Sequence, residues 1–130
     1  STGGMFKKRW GRIGDSPVIG AGTYADNNSC AVSCTGHGEY FIRHAVAFDV
    51  CARYKYLKES VEKAADYIIH TELNTNAGNG GLIAVDKLGN IAMPYNSGGM
   101  FRGFLYKEKG RPEIKKGCGI GKKIVVVGEK

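Results

Sequence analysis

The sequence predicts a small α+β domain, in which helices pack on one face of a mainly antiparallel sheet. Three observations lead to this class. The alternating stretch "CAVSC" at 30–34 is typical of a strand. Two stretches with helical periodicity follow it, at about 39–56 and 61–73. Two apolar runs at 82–86 and 91–96 then flank a turn with glycine, which predicts a β-hairpin.

The remaining elements follow from local signals. Apolar residues surround most of the first helix, so we expect it to be well buried. Ser60 is a good N-cap for the second helix. The stretch "MFRGFLY" at 100–106 predicts a further strand beside the hairpin. Beyond it the pattern decays, apart from "IVVV" at 124–127, which predicts an edge strand. We therefore expect a domain over 1–106 and a Gly- and Lys-rich tail over 107–130.

Composition limits the class of protein. The chain has 130 residues, 42% of them hydrophobic and 24% charged, which is ordinary for one globular domain. No apolar run approaches the roughly 18 residues that a membrane span needs, and no secretory signal is visible. Four cysteines without metal-site spacing predict reduced, buried thiols. These features together predict a cytoplasmic protein.

The positive charge is concentrated at the two ends of the chain. The net charge is +7, and residues 102–130 alone carry nine positive and three negative side chains. A solvated basic tail is the interpretation that we favour. Electrostatic binding of nucleic acid is the alternative. The aromatic residues are scattered and form no base-stacking cluster, so a nucleic-acid partner is not expected.

The stretch "TGHGE" at 35–39 ends the first predicted strand and opens a helix. Backbone N–H groups at a helix start are unpaired and favour negative charge. Gly36 and Gly38 allow a ligand to approach the backbone closely, and Thr35 adds a hydroxyl. A carboxylate or an oxyanion would be stabilised there. The alternative is a strand-to-helix turn that binds nothing.

A second polar stretch, "GRIGDSP" at 11–17, places Arg12 and Asp15 three residues apart between glycines. Arginine grips a carboxylate bidentately and aspartate accepts from an ammonium, so the pair suits an amino acid. A local ion pair that fixes the loop is the alternative. His37 and His44 could share a helix face, but a metal usually needs a third protein ligand. No metal and no other cofactor is predicted.

These stretches together resemble the plant-type asparaginase and isoaspartyl peptidase family. The resemblance rests on "STGGM" (1–5), "GRIGDSPVIGAGTYAD" (11–26), "CTGHGE" (34–39) and "GGLIAVDKLGNIAMPYNSGGMFRGF" (80–104). It is collinear over residues 1–106. Glycosylasparaginase shares the second motif, but the first and last motifs favour the asparaginase branch.

The resemblance implies a fold and an activity. The fold is a four-layer αββα sandwich of the N-terminal-nucleophile hydrolase type, made by an α and a β chain cut from one precursor. The new N-terminal threonine of the β chain is the nucleophile. The reaction passes through an acyl-enzyme and releases aspartate from L-asparagine or β-aspartyl dipeptides. The implied partners are an α subunit of the same precursor, in an (αβ)₂ assembly, and the small-molecule substrate.

The resemblance also implies roles for substrate-binding residues. Arg12 matches the position that holds the substrate α-carboxylate, and Asp15 the one that holds the α-amino group. Gly38 matches a further substrate-binding position. We expect His37, the residue before it, to belong to the substrate-binding residues as well.

Three further positions match the catalytic machinery. Thr35 and Gly36 match the oxyanion hole, by hydroxyl and by backbone N–H. Thr2 matches a threonine whose hydroxyl supports the nucleophile. The nucleophile itself and the strand that it begins are not present in this chain, so we expect the isolated chain to be inactive. The alternatives are a truncated relative that binds an amino acid or nucleic acid, or a new nucleophile at Ser1 or Thr2.

Overall fold

The computed structural model describes residues 7–107, 114–120 and 125–128. The chain forms two compact units, one up to Ser97 and one from Gly98 on. Two strands are followed by a run of helices and then by further strands, an α+β order that confirms the predicted class. Within the described residues, no helix is long and apolar enough to cross a membrane.

The first unit contains a four-stranded antiparallel sheet in the order β1-β2-β3-β4. Its strands are β1 Thr23–Ala25, β2 Cys30–Gly36, β3 Gly80–Asp86 and β4 Ile91–Ala92. β2 and β3 pair along their full length, from Cys30 opposite Asp86 to Gly36 opposite Gly80. The predicted strand at 30–34 and the predicted hairpin are thereby confirmed, although β4 is shorter than its apolar run.

The first predicted helix is two helices, α1 Gly38–Arg43 and α2 Val46–Tyr56, and the single-helix prediction is wrong. Ala45 between them adopts a left-handed conformation with φ 45°. The first N–H groups of α2 are satisfied by distant backbone, since Ala47 donates to Ala21 O (3.0 Å) and Phe48 to Gly20 O (2.8 Å). The break therefore lets α2 dock its N-terminus on the loop before β1.

The second predicted helix begins where its cap residue indicates. α3 spans Val61–Tyr67, and the Ser60 hydroxyl accepts from the Lys63 N–H (3.2 Å). The helix continues as a π-helical turn over Ile68–Leu73. The Asn96 side chain donates to the Ile69 carbonyl in this turn (3.2 Å) and to Gly78 O (2.8 Å).

The core lies between this sheet and its helices. β2 and β3 point alternate side chains into it, and the helices fill the space above them. The core side chains come from the sheet (Cys30, Val32, Cys34, Leu82, Ala84 and Ala92) and from the helical segments (Phe41, Val46, Ala47, Val50, Cys51, Val61, Ala64, Ala65, Ile68, Ile69 and Leu73). No helix of this unit covers the other face of the sheet among the described residues, and its side chains are partly exposed.

The second unit contains an antiparallel sheet of three strands in the order β5-β6-β7. β5 spans Phe101–Lys107, β6 Ile114–Ile120 and β7 Val125–Gly128. β5 pairs with β6 and not with the hairpin, so the predicted grouping is wrong. The Gly- and Lys-rich sequence of β6 did not predict a strand. A strand that is held by backbone pairing needs no apolar pattern, so its sequence gives no signal. β7 agrees with the predicted strand at 124–127.

Candidate functional site

The glycine-rich loop before β1 carries Asp15, whose carboxylate is buried. A methyl group built on Gly22 would lie 2.7 Å from Asp15 Oδ2, and one on Gly38 would lie 2.8 Å from Oδ1. Both glycines are therefore required for the carboxylate to fit between the loop and the start of α1. The Asp15 carbonyl accepts from Val18 N (2.9 Å) and Gly22 N (3.2 Å), which fixes the loop.

The Asp15 carboxylate is incompletely satisfied. Its Oδ2 is buried and has no hydrogen-bond partner among the described residues. Burial raises the pKa of Asp15, while its own backbone N–H and the nearby Arg12 act in the opposite direction. A buried oxygen of this kind is costly unless a partner arrives. An ammonium group would supply that partner.

Arg12 is already bound to a carboxylate. Its Nη2 donates to Glu39 Oε1 at 2.6 Å, so the guanidinium pairs with the first turn of α1 and not with Asp15, as the alternative interpretation had it. Backbone hydrogen bonding and Arg12 lower the pKa of Glu39, which keeps it ionised. Glu39 is more than half exposed and Arg12 much less so. The glutamate thus occupies the place that a free carboxylate would take on the guanidinium.

Thr35 lies near the end of β2, and its buried Oγ1 has no hydrogen-bond partner within the part of the chain that the structure describes. β2 and β3 approach each other closely at this point. Gly36 and Gly80 face each other in the register, and a methyl group on either would overlap the partner's backbone. The loop is held from the other side, because His37 N–H donates to Asn79 O (2.9 Å) and Gly80 N–H to Asn96 Oδ1 (2.8 Å).

The remaining residues predicted for the site are Gly38, His37 and Thr2. Gly38 packs against Asp15, as described. His37 is the N-cap of α1 but makes no side-chain cap bond, and its exposed imidazole lies beside the Tyr40 ring with centroids 6.4 Å apart. Thr2 lies outside the described residues. α1 has only six residues, so the helix start contributes less positive field than the sequence suggested.

The sequence of the chain matches the model of one family, described as asparaginase, over residues 1–114. The chain belongs to the asparaginase family. Isoaspartyl peptidase from Salmonella typhimurium is 52% identical over 106 residues, which are 82% of this chain and 34% of that protein. Isoaspartyl peptidase from Escherichia coli is 47% identical over 120 residues, 85% of this chain and 37% of that protein.

A mammalian relative gives the same result. Isoaspartyl peptidase/L-asparaginase from Mus musculus is 45% identical over 104 residues, 77% of this chain and 30% of that protein. The chain thus spans about a third of the length of these curated asparaginase-family proteins.

Sequence reasoning missed two residues of this asparaginase-family region. Glu39 stood within the motif "CTGHGE" at the start of the predicted helix but was given no role, since nothing in the sequence shows that Arg12 folds back onto it. Asn96 stood within "MPYNSGGM", where a lone asparagine between apolar runs was the available signal. Its amide reaches three backbone groups, which only the folded chain brings together.

Proposed function

We propose that this chain supplies the substrate-holding groups of a hydrolase that acts on L-asparagine and β-aspartyl dipeptides and releases aspartate. The observation that carries the proposal is the pair of buried oxygens, Asp15 Oδ2 and Thr35 Oγ1, that have no hydrogen-bond partner among the described residues, together with the carboxylate-binding Arg12 near Asp15. The names of the relatives, isoaspartyl peptidase and L-asparaginase, support this substrate class.

Each group has a task that its surroundings suit. Arg12 exchanges Glu39 for the substrate α-carboxylate, because both ligands are carboxylates. Asp15 accepts from the α-ammonium, and the added positive charge offsets the burial that raises its pKa. The Thr35 hydroxyl donates to the side-chain carbonyl oxygen, on which negative charge develops during attack. Gly36 and Gly38 allow the Asn79 carbonyl and the Asp15 carboxylate, respectively, to approach the backbone closely.

A binding experiment tests the site on this chain. We expect L-aspartate to bind saturably in isothermal titration calorimetry, and Arg12→Ala and Asp15→Asn to weaken that binding about 10- to 100-fold, as loss of a charged hydrogen bond predicts. Arg43→Ala and Asp66→Asn are matched controls, because Arg43 and Asp66 are exposed residues of α1 and α3. A folded chain that binds no aspartate, or variants that bind as well as wild type, would contradict the proposed site.

Hydrolysis is tested on the complete natural protein. We expect it to release aspartate from asparagine and a β-aspartyl dipeptide, and the Arg12→Ala form to lose activity on both. Preference for a glycosylated asparagine would favour the glycosylasparaginase alternative. The N-terminal sequence and intact mass of that protein show whether a threonine-led segment accompanies these residues. Its cytoplasmic location and its cofactor independence stay predictions.

We also propose that the open face of the β1–β4 sheet packs on a second sheet, as in a four-layer αββα sandwich, within an (αβ)₂ assembly. Ile83 and Val85 lie on this face and are 48% and 44% exposed. Opposite them in the register are Ser33 and Ala31, small residues that leave the face flat. An apolar, flat sheet face of this kind is suited to face-to-face packing.

Charge placed on this face tests the assembly. We expect Ile83→Lys to leave the isolated chain folded but to prevent its recovery in an αβ complex by native mass spectrometry. Leu88→Lys is the matched control, since Leu88 is exposed in the β3–β4 turn, away from the face. Assembly of the Ile83→Lys protein at wild-type yield would refute the proposed packing.

A further inference from the structure

Two buried cysteines meet where β2 begins and α2 crosses it. Cys30 Sγ and Cys51 Sγ lie 2.7 Å apart, about 0.7 Å more than a disulfide bond length. The neighbouring backbone holds both in place. The Cys51 thiol donates to the Cys30 carbonyl (3.2 Å), and the Ser29 hydroxyl donates to the Cys51 carbonyl (2.8 Å).

The two sulfurs are not equivalent. Hydrogen bonding from Cys51 lowers the pKa of Cys30, whereas the same contact, together with burial, raises the pKa of Cys51. Cys30 is thus the sulfur with more thiolate character, and Cys51 retains its proton. Burial raises the pKa of the third thiol of this unit, Cys34, which makes it a poor nucleophile.

A path from solvent reaches this corner of the molecule. Cys30 and Cys51 are only 3% and 2% exposed. However, Cys30 lines a surface cleft of about 410 Å³, with Ser29, Asp26 and Asp86 among the other lining residues. A molecule as small as hydrogen peroxide fits such a cleft, whereas a bulky oxidant would need the helix to open.

We propose that Cys30 and Cys51 are a redox-active pair, which a small peroxide converts to a reversible disulfide between β2 and α2. The proposal rests on geometry and stands apart from the proposed hydrolase site. In the first step Cys30 Sγ attacks one peroxide oxygen, the O–O bond breaks, and the departing hydroxide takes the Cys30 proton to form water. In the second step Cys51 Sγ attacks the Cys30 sulfenic acid, the S–S bond forms, and the departing hydroxide takes the Cys51 proton. Two thiols lose two electrons, and one peroxide becomes two waters.

The disulfide would close the segment 31–50, which contains Thr35, Gly36 and all of α1. Closing a loop of this length restricts the unfolded chain, so the oxidised form gains stability. We expect its thermal midpoint to rise by roughly 10 °C over that of the reduced form.

The experiment uses the full chain, first reduced and then treated with a small excess of hydrogen peroxide. Iodoacetamide should label all four cysteines of the reduced, denatured chain but only Cys34 and Cys118 after oxidation. Intact mass should fall by two hydrogen atoms, and dithiothreitol should restore it. Trypsin cuts after Arg43 and so separates Cys51 from the peptide with Cys30 and Cys34.

Matched variants identify the partners. In Cys34→Ala the cross-linked peptide and the rise in thermal midpoint should persist, whereas in Cys51→Ala both should disappear. If Cys51→Ala does not fold, the cross-linked tryptic peptides of wild type and Cys34→Ala still identify the two bonded cysteines. Four labelled thiols after oxidation of a folded chain, a cross-link through Cys34 or Cys118, or accumulation of Cys30 sulfinic acid would overturn the proposal.

Discussion

The two faces of the β1–β4 sheet differ in their surroundings although the same strands form both. In β3, Leu82 and Ala84 point toward the helices and are 0% and 1% exposed, whereas their neighbours Ile83 and Val85 are about half exposed. A strand with one solvated face normally alternates apolar and polar residues. β3 reads "GLIAV" instead, the continuous apolar run of a strand covered on both sides. The open face thus has the side chains of an interface, while the helix-covered face is a completed core.

Side-chain truncations on the two faces should differ most in their effect on the free energy of unfolding. Leu82→Ala leaves a cavity in the core and should lower the free energy of unfolding by about 2–5 kcal/mol. Ile83→Ala, one residue along, should cost about 1 kcal/mol or less in the isolated chain. Urea unfolding followed by circular dichroism measures both. Equal costs for the two would show that the open face is already covered in solution.

A substitution where the ends of β2 and β3 meet should have the next largest effect on stability. Gly80→Ala brings a methyl group into the Thr35 carbonyl and the Phe41 ring, so β2 and β3 must move apart. We expect a loss of about 1–3 kcal/mol in urea unfolding. Gly98→Ala is the control, because a methyl group there meets nothing within 4 Å. A Gly80→Ala chain as stable as the Gly98→Ala chain would rule out close strand contact here.

The side-chain amide of Asn96 links the π-helical turn to the start of β3. Its removal should have a smaller effect on stability. Asn96→Ala leaves Gly80 N–H and Gly78 O without their partner, which should cost about 1–2 kcal/mol. Hydrogen exchange at the Gly80 amide should accelerate as well. Asn76→Ala serves as the control, since Asn76 makes one exposed bond to Glu72 O (2.7 Å). Unchanged exchange at Gly80 would mean that Asn96 does not hold this loop.

The smallest predicted effect concerns Asp15 and depends on pH. Burial raises the pKa of Asp15 above 3.8, so the folded chain keeps this proton to higher pH than the unfolded chain. The stability associated with the protonated form is present at acid pH and is lost as the pH rises through the folded pKa. Asp15→Asn avoids that loss. Its stability should therefore exceed that of wild type by an amount that grows from pH 3 toward neutrality, as urea unfolding at each pH would show.

An exposed carboxylate supplies the comparison for this pH series. Asp66→Asn should track wild type across the range, because Asp66 is exposed on α3. An Asp15→Asn chain that is less stable than wild type at neutral pH would mean that the Asp15 carboxylate stabilises the empty loop.

The sequence predicted the features that local chemistry determines. Ser60 caps α3 as expected, and the turn after Asp86 closes the hairpin, since the Asp86 carboxylate accepts from Leu88 N (2.8 Å) and Asn90 N (2.9 Å). The break at Ala45 was not predictable, because the carbonyls that satisfy α2 come from Gly20 and Ala21. Helical periodicity continues across such a break and conceals it.

The candidate site was predicted in its residues but not in its contacts. Arg12 and Asp15 are close in sequence, yet Arg12 binds Glu39, which the fold brings back from α1. The glycine contacts that shape the site involve Gly22 and Gly38, on separate elements, and neither shows its partner in the sequence. Contacts between residues that are distant in the sequence therefore determine the shape of the site.

The bond from the Gly80 N–H to Asn96 Oδ1 also bears on the chemical ageing of the chain. An asparagine followed by glycine deamidates readily, because the next backbone nitrogen attacks the side-chain amide without steric hindrance. In the Asn79–Gly80 pair that nitrogen is engaged by Asn96, and the Asn79 carbonyl is held by His37 N–H. The fold thus protects its most deamidation-prone described dipeptide, and succinimide formed at Asn79 would report how often this loop opens.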